Sequence, residues 1–87
     1  MTSQEFTSGI IDLKGNFHKY ALSLTLDRDN ALDLVQDTYL KAIQNQNKFV
    51  DDTNLKAWAF TIMKNTFINN YRRKMRENTM MDGTQEL

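Results

Sequence analysis

Cysteine and proline are both missing from these 87 residues, and glycine occurs only three times. Without thiols there is neither a disulfide framework nor a thiolate metal site, so packing must hold the fold together. Without proline nothing forces a helix to kink, and the scarcity of breakers argues against a loop-rich structure. The glycines stand at 9, 15 and 83, too scattered for a phosphate-cradling loop. A single histidine, His18, excludes a two-histidine metal centre, and its place beside Phe17 suits a structural role. No apolar run approaches the roughly 20 residues needed to span a bilayer, and no signal-peptide architecture opens the chain. The expectation is a cytoplasmic protein without membrane insertion.

What is present is ordinary for a globular protein: 40% apolar and 25% charged residues, enough for one small domain. The formal net charge is zero, but it is unevenly spread. Residues 1–53 hold eight acids against five bases, whereas residues 54–78 hold six bases against the single acid Glu77. Such separation can bring two partners of opposite sign to one domain.

Three segments carry helical periodicity and none alternates like a strand, so the fold class expected is all-α: a compact three-helix bundle, or a four-helix one, with a long third helix. In the first segment Ile10, Leu13, Phe17, Tyr20, Ala21 and Leu24 recur every three or four residues as a core-facing stripe. Gly15 lies within it, where it costs about 1 kcal/mol relative to alanine and is read as permitting a close helix crossing. Asp27 and Asp29 are N-cap candidates for a second helix over about Asn30 to Asn45. Its expected buried stripe is Leu32, Val35, Tyr39, Ala42 and Ile43, with Ala31 and Leu34 at the border. The opposite face reads Asp33, Gln36, Asp37, Leu40 and Gln44. An acid near a helix N-terminus suits the dipole. Leu40, apolar on that polar face, is either an ordinary exposed leucine or an anchor for a basic helical partner.

The connection NQNKFVDDTN follows, in which Phe49 and Val50 are expected to tuck against the core, and Thr53 or Asn54 can cap the next helix. The third helix, about Leu55 to Arg76, presents two inward rows. One is Leu55, Trp58, Ala59, Ile62 and Thr66; the other is Phe60, Met63, Phe67 and Tyr71. A further row, Thr61, Lys64, Asn65, Ile68, Asn69, Arg72, Arg73 and Arg76, is polar and then basic. Terminal bases complement the helix dipole, but two asparagines four residues apart are poor helix formers without another use. From Asn78 onward the chain is polar and aperiodic, the expected start of a linker or frayed tail.

No catalytic constellation emerges, and no cofactor or metal is called for. What remains is a helical binding module. Lys and Arg neutralise phosphates, Asn amides pair with base edges, and aromatics stack on exposed bases of an open strand. A helix-turn-helix fits poorly, because the connection before the third helix is ten residues long.

At this level the chain resembles the second conserved region of bacterial sigma factors of the sigma-70 family, in the compact extracytoplasmic-function branch. The acidic pattern D-x-x-Q-D-x-(aromatic)-x-K-A appears as Asp33, Gln36, Asp37, Tyr39, Lys41 and Ala42. The pattern W-x-x-x-I-x-x-N-x-x-x-N-x-x-R-R appears as Trp58, Ile62, Asn65, Asn69, Arg72 and Arg73. Together they cover about residues 10 to 77. The resemblance implies a transcription-initiation domain over residues 1–78. Asp33, Gln36 and Asp37, with Leu40 and Gln44 alongside, would dock on the clamp helices of the largest subunit of core RNA polymerase. The loop and third helix would recognise and melt the minus-ten promoter element on the non-template strand. In that family a base is flipped from the stack, and Lys48, Phe49 and Asn65 would surround it, with Thr61, Lys64, Asn69, Arg72, Arg73 and Arg76 on phosphates or neighbouring bases. Trp58 reads as core rather than as a melting wedge. An anti-sigma regulator is the further partner implied. The helix-turn-helix domain that reads the minus-thirty-five element in that branch is absent, so residues 79–87 are expected to begin an interdomain linker of a truncated chain. The competing reading is a helical protein–protein interaction module with no nucleic-acid role.

Overall fold

The computed structural model describes residues 1–82, with side chains through Glu77. Four α-helices and one short 3-10 turn make up the described chain, with no strand among these residues: α1 Ser3–Asp12, α2 Lys14–Thr25, α3 Arg28–Gln44, the 3-10 turn Gln46–Lys48 and α4 Leu55–Asp82. The long helix is therefore the fourth.

Helix α1 begins with a capping box. The Thr2 hydroxyl accepts from the Glu5 N–H at 3.1 Å, and the Glu5 carboxylate accepts from the Thr2 N–H at 2.8 Å. Its buried positions are Phe6 and Ile10. The first apolar segment, expected as one helix, is divided at Leu13, whose φ of −88° and ψ of 6° lie in the bridge region. The stripe nonetheless runs on in phase through Phe6, Ile10, Leu13, Phe17 and Ala21, so nothing in the spacing marks the break. The close approach expected at Gly15 also lies elsewhere. A Cβ built on Gly15 would meet nothing within 4 Å, whereas one on Gly9 would come to 2.8 Å from Leu55 Cδ2. It is α1, crossing the start of α4, that uses a glycine.

Leu26 closes α2 in the left-handed region with φ 57°, its N–H donating to the Leu22 carbonyl at 2.8 Å. Asp27 then caps α3, its carboxylate accepting from the Asp29 N–H at 3.2 Å. The buried set of α3 is Ala31, Leu34, Val35, Thr38 and Ala42. This corrects the expected stripe: Leu32 and Ile43 are exposed, and the core face is centred on Thr38. Thr38 tolerates burial because its hydroxyl donates to the Leu34 carbonyl at 2.8 Å, leaving no unpaired polar atom. Asn54 caps α4, accepting from the Ala57 N–H at 3.0 Å.

Helix α4 is held between two aromatic groups. On one side Phe60 lies 4.7 Å from Tyr20, stacked, and 5.8 Å from Phe17, which also meets Tyr39 at 5.4 Å. On the other, Trp58 lies 5.6 Å from Phe6 and 5.4 Å from Phe49, and the last two are 6.0 Å apart. Ala59, Met63 and Thr66 of α4 are fully buried, as are Ala21 of α2 and Ala42 of α3, alanines whose small side chains suit close helix packing. Two expected core residues lie outside: Tyr71 is 57% exposed and Val50 65%, so of the adjacent pair Phe49 and Val50 it is Phe49 that packs against the core. Helix α4 also continues to Asp82, beyond the expected helix end at Arg76. Residues 83–87 of the expected linker lie outside the described residues.

Candidate nucleic-acid interface

The connection from α3 to α4 is shaped by local bonds. Asn45 receives the Lys48 N–H at 2.9 Å, and Gln46 receives the Phe49 N–H at 3.1 Å, which makes the 3-10 turn. Asp52 takes the left-handed conformation with φ 68°, and the Thr53 hydroxyl donates to the Val50 carbonyl. The loop is tied at both ends: Phe49 enters the aromatic group with Phe6 and Trp58, and the Asp51 carboxylate receives the Met1 amino group at 2.7 Å. That bond raises the pKa of the amine above its ordinary value. Lys48 is exposed at the outer edge of the turn.

The side of α4 that carries Trp58 faces this loop. Trp58, Thr61, Asn65, Asn69, Arg72 and Arg76 follow at intervals of three or four residues and so form one row on that side. Thr61, Asn65, Asn69, Arg72 and Arg76 are all exposed. Thr61 donates its hydroxyl to the Ala57 carbonyl at 2.9 Å, which leaves its oxygen free to accept from outside. The row thus runs from amides beside the loop to guanidinium groups further along, an order suited to bases near the loop and phosphates beyond it.

Two residues expected with this row stand apart from it. Lys64 is exposed but rotated well away. Arg73 follows Ala59, Met63, Thr66 and Asn70 at helical intervals, on the row that is core in the first half of α4. Beyond the bundle that row opens into a groove of about 620 Å³ between α4 and the α2–α3 corner, walled by Asp33 and Asp37 on one side and Arg73 and Lys74 on the other. Leu24, Leu34, Phe67 and Tyr71 supply its apolar lining.

Asp33, Gln36, Asp37, Leu40 and Gln44 are all exposed on α3. Leu40 is not a lone apolar residue there, since Leu32 and Ile43 on the same helix are also exposed. The outer surface of α3 therefore combines carboxylates, amides and three aliphatic side chains. Among the described residues no three His, Asp or Glu side chains converge in a way that could hold a metal. No described helix is long and apolar enough to cross a membrane.

A second, smaller cavity of about 280 Å³ lies beside Phe49, lined by Met1, Phe6, Gln46, Asn47, Phe49 and Asp51. Lys48 and Asn65 are not among its lining residues. Phe6, Gln46 and Asn47 are absent from the sequence-derived set. Phe6 was legible, standing one turn before Ile10 in phase with the stripe, whereas the two amides sit in a short turn that no periodicity marks.

Residues 12–77 match the family model described as Sigma-70 region 2. The chain is 45% identical over 65 residues to the ECF RNA polymerase sigma factor EcfG of Rhodopseudomonas palustris (strain TIE-1), covering 75% of this chain and 36% of that protein. It is 31% identical over 77 residues to the RNA polymerase sigma factor SigV of Bacillus subtilis (strain 168), covering 88% of this chain and 46% of that one. Among solved structures, the sigma factor RpoE of Bartonella quintana, crystallised in complex with the anti-sigma factor NepR, is similar with a TM-score of 0.84 and 38% identity, over 93% of this chain and 51% of that one. The chain spans about a third to a half of the length of these relatives.

Proposed function

The chain belongs to the Sigma-70 region 2 family, and on that footing we propose that it is the domain of an extracytoplasmic-function sigma factor that binds core RNA polymerase and opens the minus-ten promoter element. Its work is binding rather than catalysis, carried out in the cytoplasm where polymerase and chromosome meet. The observation that carries this reading is the row Thr61, Asn65, Asn69, Arg72 and Arg76 on the loop side of α4, beside an aromatic-anchored turn, while the carboxylates of α3 are displayed on another helix.

Asp33, Gln36 and Asp37, with Leu40 and Gln44, meet the basic clamp helices of the polymerase. Lys48, Phe49 and Asn65 contact the unstacked region of the non-template strand. Asn69, Arg72 and Arg76 hold the neighbouring backbone, with Thr61, Lys64 and Arg73 at the margins. Unstacking a base costs a few kcal/mol, and the aromatic and amide contacts offset it. Residues 1–78 form the polymerase- and minus-ten-binding domain, and 79–87 lead toward a second domain that reads the minus-thirty-five element in the whole protein. Leu32, Leu40 and Ile43, exposed together on α3, favour an anti-sigma regulator as a further partner on that helix.

The test is capture of core polymerase by the tagged chain together with an open minus-ten probe, repeated at several salt concentrations. Alanine at Asp33, Gln36 and Asp37 together is expected to abolish polymerase capture. Asn65→Ala is expected to weaken binding of the open probe in the presence of polymerase and to leave closed duplex unaffected. Equal, Asn65-independent binding of open and closed probes would remove the strand-opening role. Failure to capture polymerase would leave the protein-interaction reading in its place.

A further inference from the structure

All of α1 but its last residue precedes the stretch 12–77 that matches the family model, so the match gives this helix no role. The helix and its N-terminal residue nevertheless touch the α3–α4 connection at three successive points. Phe6, buried in α1, meets the Phe49 ring at 6.0 Å and the Trp58 ring of α4 at 5.6 Å, edge-on. Two residues further along the loop, Asp51 receives the Met1 amino group at 2.7 Å. Where α4 begins, Gly9 leaves open the room that Leu55 Cδ2 takes, 2.8 Å from where a Cβ would stand. The Met1–Asp51 pair lies at the surface and so contributes little. The rings decide more. From Asn47 to Asn54 every residue but Phe49 is exposed, and the other bonds of this loop among the described residues are local. The loop is therefore seated through Phe49, which has two ring partners, and one of them is Phe6.

On the reading above that this domain holds an open strand, we propose that α1 is a strap that sets the α3–α4 loop for strand binding. Phe6 is its positioning residue, and Lys48 is the group it positions. Lys48 directly precedes Phe49 and stands exposed at the outer edge of the 3-10 turn. Its contact with a phosphate is favourable while that turn stays seated, because a loose loop must first be ordered at an entropic cost. Arg72 and Arg76 need no such support, since they stand on a helix. Helix α1 thus governs the loop end of the strand site and leaves the basic end of α4 alone. The rest of the bundle is joined differently: α2, α3 and α4 meet through the separate aromatic group of Phe17, Tyr20, Tyr39 and Phe60.

The test compares matched substitutions in the 87-residue chain, read by fluorescence anisotropy of a short single DNA strand below the unfolding transition of each variant. Phe6→Leu removes the ring that faces Phe49 and keeps most of the apolar volume. Phe17→Leu makes the same change in the other aromatic group, away from the loop. Phe6→Leu is expected to weaken binding at low salt about two- to fivefold, the scale of one exposed ionic contact. It should also make the fall of log affinity with log salt concentration shallower by about 0.7, the share of one phosphate on a single strand. Phe17→Leu should leave both unchanged. Lys48→Ala should reproduce both effects in the parent chain and add nothing in the Phe6→Leu chain, the coupling expected when one residue acts through another. Amide exchange supplies a readout without DNA: the N–H groups of Phe49 and Thr53, which close the two turns of the loop, should lose protection in Phe6→Leu and keep it in Phe17→Leu. Equal losses of binding from Phe6→Leu and Phe17→Leu, or additive losses from Phe6→Leu and Lys48→Ala, would overturn the strap and leave the strand-holding role intact. If the parent chain binds no strand at low salt, the strand-holding role and the strap fail together.

Discussion

Gly9 and Gly15 sit in consecutive helices, yet alanine at the two should act differently. At Gly15 an added methyl meets open space, so Gly15→Ala gains helix propensity and loses unfolded-state freedom without a clash. It should stabilise the fold by up to about 1 kcal/mol, and thermal unfolding should show a rise of about 4–8 °C for a full 1 kcal/mol in a domain this small. At Gly9 the same gain is opposed by Leu55 Cδ2, 2.8 Å from the new Cβ. That atom is the end of a flexible side chain, so repacking costs about what the methyl gains, and Gly9→Ala should leave the melting temperature nearly unchanged. A larger rise for Gly9→Ala than for Gly15→Ala would mean that α1 does not cross α4 as closely as described. From the sequence, Gly15 was the natural candidate for a crossing, because it lies between the apolar residues of one continuous stripe. Which glycine faces a neighbour is fixed by tertiary contact, and no local pattern encodes it.

The helices themselves were largely legible, and their errors share a cause. Periodicity located α2, α3 and α4, and residue type narrowed each N-cap to two candidates, of which Asp27 and Asn54 make the bonds. It joined α1 to α2 because the stripe keeps phase through Leu13, where the backbone departs only slightly from helical geometry. It rotated the core face of α3 toward Leu32 and Ile43 because Thr38 counts as polar until its bond to Leu34 is known. It assigned Tyr71 to the core because α4 keeps its pattern after the bundle it packs against has ended. The row on α4 was legible from spacing, apart from Lys64 and Arg73. The cavity beside Phe49 was not, because it is built from α1 and a non-periodic turn. Helix α1 carries its own pH dependence. Glu5 accepts from the Thr2 N–H, and that bond holds its pKa below the usual glutamate value. A depressed carboxyl stabilises the fold above its unfolded pKa and loses that contribution as pH falls through the folded one. The protection of amides in the first turn of α1, taken relative to the intrinsic exchange rate at each pH, should therefore fall on acidification below the normal glutamate range. In Glu5→Gln, whose amide can still accept but does not titrate, this acid-dependent step should be absent. An unchanged step in the variant would assign it to other carboxyls.

Across the whole molecule the zero net charge arises from two opposed populations that, in part, face each other. Asp33 and Asp37 stand on α3 and Arg73 and Lys74 on α4, lining one groove. Among the described residues the one ion pair is Met1–Asp51, so these charges interact across solvent without closing the groove. Pairs of unit charges about 8 Å apart in water interact by about 0.5 kcal/mol, and salt screens them over about 10 Å at 0.1 M. The acids therefore lower the positive potential that the end of α4 offers to phosphates, and a basic partner seated on α3 would relieve it. Asp33→Asn/Asp37→Asn should raise the affinity of the chain for a single strand about two- to threefold at low ionic strength, with the gain fading as salt is added. The same variant should lose polymerase capture, which separates the two roles of these residues. Net charge alone predicts an equal gain from any two neutralised acids. The control is thus Glu5→Gln/Asp12→Asn, which changes the charge identically at α1, away from the residues that line the groove. If the control matches the Asp33/Asp37 variant, the opposition across the groove has no consequence for binding. If only the groove variant gains, the α3 acids restrain the strand-binding helix until a partner covers them.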